Sequence, residues 1–383
     1  MATGCVRPAL GARRAAQPLD LVGCRLNAAA TARGVACTLP AVPPSLEFMR
    51  IPALVLLCGL AASSGATSSD ATSSDATSSD VDHQALAREL ASVHQLDPEQ
   101  VLPVLREAEY KQAIIDAITR PAEAKPWKDY RPIFLTDKRI REGRAFLEEH
   151  AMALASVEQD SGVPAALIVA IIGVETSYGK ITGSWRVIDA LYTLGVHYPP
   201  RQSFFRSELG HLFALVGEER LDPLELKGSY AGAMGWGQFM PSSYRAYARD
   251  GDGDGRRDLF GSLPDVFASV ANYFVAHGWQ GGQPVAVPAR RGEHAVAFKP
   301  SSWKAEFALE ELQAKGYVPA EPLSEPLPAT LVELEGEAGT EYWLGFNNFY
   351  VITRYNRSPL YAMAVHQLAQ EIAAGSAGAG NAP

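Results

Sequence analysis

Glu175 ends the apolar run IVAIIGVETSYGK, and it is the residue of this sequence best placed for acid–base chemistry. In a helix opened by Pro164, Leu167, Ile171 and Glu175 lie four apart and share one face. A carboxylate that continues an apolar stripe is costly to ionise without a partner, so its pKa rises. A glutamic acid that keeps its proton near neutral pH can act as a general acid. A helix end also allows Glu175 to turn outward into water. On this segment alone that solvated reading is the stronger.

A second stretch adds the means of holding a ligand. KGSYAGAMGWGQFMPSSY, from Lys227 to Tyr244, sets Gly228, Gly232, Gly235 and Gly237 among aromatic and amide side chains. Glycine lets backbone approach a ligand closely, while Ser229, Gln238 and Tyr230 offer polar groups and ring surface. Such a mixture suits sugars, whose CH faces lie on rings and whose hydroxyls need hydrogen bonds. Taken alone, a tight turn between two helices is the simpler account.

A third stretch has metal-ligand spacing. DGDGDGRRDLFG, Asp250 to Gly261, follows most of the calcium-loop pattern D-x-D-x-D-G-x5-E. Asp250, Asp252 and Asp254 take the first three ligand positions, the carbonyl of Arg256 the next, and Asp258 the water-mediated or direct one. Arg257 replaces the usual aliphatic residue. Gly261 stands where the bidentate glutamate belongs, leaving Asp265 as the nearest later carboxylate. The spacing favours a structural calcium loop of weak affinity over a solvated acidic turn.

The elements that must position these groups are mostly helical. QALARELASVHQL and DPEQVLPVLREAEY lie in a helical stretch between Val81 and Tyr130, with Asp97 capping and Pro98 in the first turn of the second. Arg139–Asp160 reads as one helix, and further helices are expected near 203–216, 242–250 and 263–277. Residues 283–335 alternate apolar and polar residues between Pro and Gly, the pattern of a small strand-rich insertion. YWLGFNNFYVITRYN then leads to Ser358-Pro359, an N-cap with a first-turn proline, and a closing helix to about Ala373. The Gly/Ala-rich residues 375–383 read as a disordered tail.

Composition narrows the classes of function. The 383 residues carry a formal charge of −9, which argues against nucleic acid as a partner. The four cysteines, Cys5, Cys24, Cys37 and Cys58, all precede residue 59, so the folded part has neither a disulfide framework nor a thiolate metal site. MRIPALVLLCGLAASSGA, Met49 to Ala66, has the basic start, short apolar run and small-x-small ending of an export signal. Residues 1–66 are read as that signal region, with the true start at Met49 and export to the periplasm. Cys58-Gly59 raises lipid attachment to the outer membrane, although Leu57 is bulky where a small residue is expected. Three ATSSD repeats follow, and residues 67–81 read as a flexible linker.

Taken together, GVETSYG, AGAMGWGQFMPSSY and NNFYVITRYNRSPLYAMAV closely resemble the lytic murein transglycosylase B family of bacterial cell-wall enzymes, over roughly residues 82–373. The resemblance implies a mainly α fold: a lysozyme-like helical core, a flanking helical subdomain and the small β-rich insertion, with residues 82–374 as the catalytic domain. It implies action on the MurNAc–GlcNAc glycan of peptidoglycan, with Glu175 as the catalytic glutamate. Ser229, Gln238, Tyr273, Tyr355, Asn356 and Tyr361 match the family's glycan contacts. The family's YPRRxxYF appears as YPPRQSFF: Arg201 is kept, Pro200 replaces an arginine and Phe204 a tyrosine. Phe204 can stack on a sugar but cannot hydrogen-bond, which weakens one outer subsite.

The resemblance also explains a lone carboxylate. Hydrolytic glycosidases ordinarily use two, whereas a lytic transglycosylase uses the substrate's own C6 hydroxyl as nucleophile. Glu175 would then be acid first and base second. No catalytic cofactor is implied, calcium being structural, and a monomer is expected. A hydrolysing muramidase would need a second carboxylate across the cleft, which the motifs do not offer. A pure glycan-binding protein would gain little from a partly desolvated acid.

Overall fold

The helix that carries Glu175 is apolar on every side, and the rest of the fold is arranged to bury it. The computed structural model describes residues 83–120 and 125–379. The signal region, Cys58 and the ATSSD repeats lie outside the described residues.

The chain opens with α1 (His83–His94) and α2 (Pro98–Glu107). Leu86, Ala87, Leu90 and Ala91 form the buried stripe of α1, and Asp97 caps α2 by accepting from the Glu99 N–H at 3.0 Å. Then come α3 (Gln112–Thr119), α4 (Trp127–Phe134), α5 (Asp137–Glu149), α6 (Ala151–Ser161) and α7 (Ala165–Thr176). The single helix expected over Arg139–Asp160 is thus two. The break falls at His150, whose ring packs 4.5 Å from Phe146 and 5.8 Å from Phe267. Helical spacing continues across such a break, so periodicity alone does not reveal it.

Nine of the twelve residues of α7 are buried, Leu167 to Gly173 without interruption. No single described helix is long and apolar enough to cross a membrane. Beyond α7 lie β1 (Trp185–Arg186), α8 (Val187–His197), α9 (Gln202–Glu219), β2 (Lys227–Gly228), α10 (Pro241–Tyr247) and α11 (Leu263–Ala276). β1 and β2 pair antiparallel, and bridges from Gly228 to Met234 and from Met234 to Phe239 fold the glycine-rich segment onto them.

The strand-rich part comprises β3 (Ala286–Arg291), α12 (Leu309–Ala314), β4 (Tyr317–Pro319), β5 (Thr330–Gly336) and β6 (Gly339–Gly345). Its antiparallel sheet has the order β4-β3-β6-β5. Leu312, Tyr317, Ala329, Leu331, Leu344 and Phe346 form a small core of its own. The sheet runs to Gly345, past the boundary expected at 335. Gly336 and Gly339 pair across a hairpin whose two-residue turn, Glu337 and Ala338, leads the chain straight back into β6.

α13 (Asn347–Tyr355) and α14 (Pro359–Ala379) close the chain. Ser358 Oγ accepts from the Tyr361 N–H at 3.3 Å, so the expected cap is present. α14 extends to Ala379 rather than ending near Ala373, because the alanines of AAGSAGA favour helix strongly enough to carry Gly375 and Gly378. α14, α5, α6 and α11 all pack on α7. The last turn of α7 is left facing a cleft.

Candidate active site

Glu175 continues the buried face of α7 and emerges at the helix end. The helix stops one residue later, because Ser177 adopts a left-handed conformation (φ 50°) and its N–H closes on the Gly173 carbonyl at 3.1 Å. Thr176, itself buried, donates to the Trp236 carbonyl at 3.0 Å and accepts from the Gly179 N–H at 3.0 Å. The end of α7 is thereby fixed to the glycine-rich segment.

The cleft in front of Glu175 has a volume of about 480 Å³. A smaller cavity of about 320 Å³ lies between α1 and α9, where Glu89 and Arg206 already pair at 3.1 Å. Only the larger one holds a poised acid.

Glu175 keeps some access to solvent through the cleft mouth, yet its carboxyl is enclosed enough that burial pushes its pKa up to about 7. The opposing influence is the Tyr361 hydroxyl, which donates to Oε1 at 2.5 Å and favours the carboxylate. Burial wins. Beside it, burial and then the negative charge of Glu175 raise the pKa of the Tyr130 and Tyr355 hydroxyls, so both remain donors.

The glycan-contact residues expected from the sequence converge on this cleft with one exception. Gln238, Tyr273, Tyr355, Asn356, Tyr361, Arg201 and Phe204 all line it. Tyr355 donates to the Gly237 carbonyl at 2.6 Å, and a Cβ at Gly237 would stand 2.9 Å from that hydroxyl. Glycine is needed there for the approach. Tyr273 donates to the Arg354 carbonyl at 2.6 Å, and its ring lies 4.8 Å from Tyr355 and 4.9 Å from Tyr247. These rings form a continuous aromatic wall. Gln238, with φ 51°, uses its Nε2 on the carbonyls of Thr182 and Gly235, each at 3.0 Å. Its Oε1 accepts no hydrogen bond from the described residues. The Arg201 guanidinium lies 4.1 Å from the centroid of the Phe204 ring.

Ser229 is the exception. It is buried, and its Oγ accepts from the backbone N–H groups of Ala231 at 3.3 Å and Ala233 at 3.1 Å. In this geometry it holds the turn and is absent from the cleft lining. Conversely, Tyr130, Arg139 and His277 line the cleft without having been expected. They come from α4, α5 and the end of α11, and no local motif marks them.

The aspartate loop lies elsewhere. The carboxylates of Asp250, Asp252 and Asp254 come within 4.8 Å of one another, exposed to solvent. Asp250 is held by backbone N–H groups of Gly253 at 2.7 Å and Gly255 at 2.8 Å, which keep it ionised. These oxygen donors suit a hard cation. Asp265 is buried, and its two oxygens accept from the N–H groups of Gly251 at 2.7 Å and Asp258 at 2.6 Å. It clamps the loop to α11. Asp258 likewise accepts from Phe260 and Gly261, both at 2.9 Å, and Arg257 pairs with Glu219.

A helical core with one buried acid of raised pKa at the end of its central helix, facing an aromatic cleft, defines a lysozyme-like glycan-cleaving enzyme. Among the described residues Glu175 is the only carboxylate lining that cleft. The family model described as transglycosylase SLT domain matches residues 78–370, and the chain belongs to that family. It is a lytic transglycosylase. It is 40% identical over 300 residues to the membrane-bound lytic murein transglycosylase B of Escherichia coli (strain K12), covering 76% of this chain and 82% of that one. Among solved structures it is similar to the soluble lytic transglycosylase SltB1 of Pseudomonas aeruginosa, with 47% identity and a TM-score of 0.71 over 77% of this chain and 99% of that one. It is also similar to the Escherichia coli lytic transglycosylase Slt35 in complex with calcium, with 40% identity and a TM-score of 0.71 over 78% and 94%.

Proposed function

We propose that Glu175 alone serves both proton transfers in cleaving the β-1,4 bond between MurNAc and GlcNAc in peptidoglycan. The observation that carries this reading is a single cleft carboxylate whose pKa, about 7, leaves both protonation states accessible near neutral pH. In the first step the protonated carboxyl gives its proton to the glycosidic oxygen, and the bond from that oxygen to the MurNAc anomeric carbon breaks. The carbonyl oxygen of the MurNAc N-acetyl group closes on the anomeric carbon and shields its charge. In the second step the Glu175 carboxylate takes the proton of the C6 hydroxyl, whose oxygen attacks the anomeric carbon and releases the acetamido group. A 1,6-anhydromuramoyl end forms and Glu175 is protonated again, ready for the next strand.

The surrounding residues serve this cycle. Tyr361 steadies the carboxylate between the two transfers, and the Tyr247–Tyr273–Tyr355 wall offers stacking surface to sugar rings. Gln238 lines the cleft, with its Nε2 bonded to the Thr182 and Gly235 carbonyls. Asp250, Asp252 and Asp254 would hold calcium as a structural ion, consistent with a relative whose structure contains calcium. A cell-envelope location fits the murein substrate and membrane-bound character in the name of the Escherichia coli relative. Mass analysis of products from purified peptidoglycan tests the reaction type. Anhydro ends, lighter by one water than reducing ends, are expected, and hydrolysed ends would count against the reading.

A further inference from the structure

Four arginines, Arg139, Arg201, Arg354 and Arg357, line the cleft together with one carboxylate, Glu175. In a chain of formal charge −9 this is a local reversal of sign. Arg139 is the instructive member. It lies in the first turn of α5, half-buried, with its guanidinium 5.4 Å from the centroid of the Phe134 ring. Nη1 donates to the Ile133 carbonyl at 2.7 Å and Nη2 to Ser177 Oγ at 3.1 Å. Both acceptors are neutral. The nearby acid Glu142 is paired with Lys180 at 2.8 Å, and among the described residues no carboxylate lies within ion-pair distance of Arg139.

A partly buried cation with no direct ion pair, offset only at longer range by the charge of Glu142, is an expensive way to make a clamp, since a neutral amide could bridge the same two acceptors. Two of the five guanidinium N–H groups are spent on the protein, which leaves others for the cleft. The neighbouring wall of Ile133, Phe134 and Ile181 is apolar, and low local polarity strengthens a charge pair. The planar fork of arginine matches a carboxylate better than any other anion-binding side chain does.

We propose that Arg139 is a specificity-determining residue that binds a substrate carboxylate, carried on the muramyl residue as its lactyl group or on the peptide stem attached there. The proposal rests on reading the cleft as a peptidoglycan site. Because Ser177 follows Glu175 by two residues, the anion is held on the acid's own side of the cleft. Unsubstituted N-acetylglucosamine chains have no group for Arg139 to hold.

Three soluble competitors of the turnover of one labelled peptidoglycan test this: strands bearing stems, the same strands stripped by an amidase, and neutral N-acetylglucosamine oligomers. Arg139→Gln is expected to raise the inhibition constant of at least one charged competitor about tenfold, the effect of losing a charge-assisted hydrogen bond, and to leave the neutral oligomers within about twofold. Arg139→Lys should restore much of the difference. A loss confined to stem-bearing strands assigns the stem carboxylates, and a loss on stripped strands assigns the lactyl group. Equal weakening of all three competitors, or of none, overturns the proposal. Should Arg139→Gln fold poorly, the wild-type protein still decides: added salt should weaken the charged competitors but not the neutral ones, and a flat response in all three overturns the idea equally. An active Glu175→Gln variant would sink the mechanism above without touching this result.

Discussion

The Tyr361 hydroxyl donates to Glu175 Oε1 at 2.5 Å, joining the first turn of α14 to the last turn of α7 across 186 positions of sequence. Burial raises the Glu175 pKa and this bond lowers it. Tyr361→Phe removes only the lowering influence. The alkaline limb of kcat/KM should therefore move to higher pH, while kcat falls about tenfold or more as the carboxylate loses its donor. A pH–rate profile of the two proteins checks both parts. A limb that moved to lower pH would show that the bond does not favour the carboxylate.

The wild-type profile has its own expected sign. With a pKa of about 7 in the free protein, the acid form needed for the first transfer dominates below that value. Above it, kcat/KM should fall about tenfold per pH unit. A rate that stayed level from about pH 7 to pH 9 would exclude Glu175 as the acid.

The same shift makes a prediction about stability. The folded pKa of Glu175 is raised from 4.5 to about 7, so the folded chain holds this proton more tightly than the unfolded one. That stabilisation is fully present below the unfolded value and is lost as pH rises through about 7, at a cost on the order of 3 kcal/mol. Glu175→Gln has no proton to lose. Its Tm relative to wild type should therefore rise between about pH 4 and pH 8, and a difference that stays constant across that range would contradict the assignment.

Calcium should raise Tm more than it changes turnover, because Asp250, Asp252 and Asp254 belong to an exposed loop away from the cleft lining. Asp250→Ala combined with Asp254→Ala should abolish the calcium-dependent rise. Thermal melts with calcium and with chelator give the answer. Loss of turnover on chelation, at a temperature where the fold is intact, would argue against a structural ion.

Glu175 and most of its cleft were legible because they lie in short, dense motifs. The spacing of Leu167, Ile171 and Glu175 and the glycines around Gln238 each allowed a blander reading alone, and the resemblance of the three segments taken together decided between them. Ser229 lies outside the cleft lining for a physical reason: a serine in a glycine-rich turn can satisfy backbone N–H groups, and here it does. Asp265 joins the aspartate loop to α11 through two backbone N–H groups, a contact that the spacing of the loop does not reveal. Tyr130, Arg139 and His277 carried no local signal at all. They reach the cleft only through the packing of α4, α5 and α11 around α7, a tertiary fact that periodicity does not encode. The break at His150 and the continuation of the sheet to Gly345 were hidden for the same reason, because helical spacing and glycine each fit more than one local outcome.

Turnover of purified peptidoglycan by Glu175→Gln tests the central claim most directly. The amide keeps the shape of the side chain but can neither donate the first proton nor accept the second. General acid–base assistance is worth about 10²–10⁴-fold, and one residue here serves both steps, so activity should drop to the lower end of detection or beyond. Folding should survive, because the substitution removes a group that is costly to ionise in this site. The expected result is a folded protein that binds glycan fragments and releases almost no 1,6-anhydro product. Release at a near wild-type rate would contradict the account.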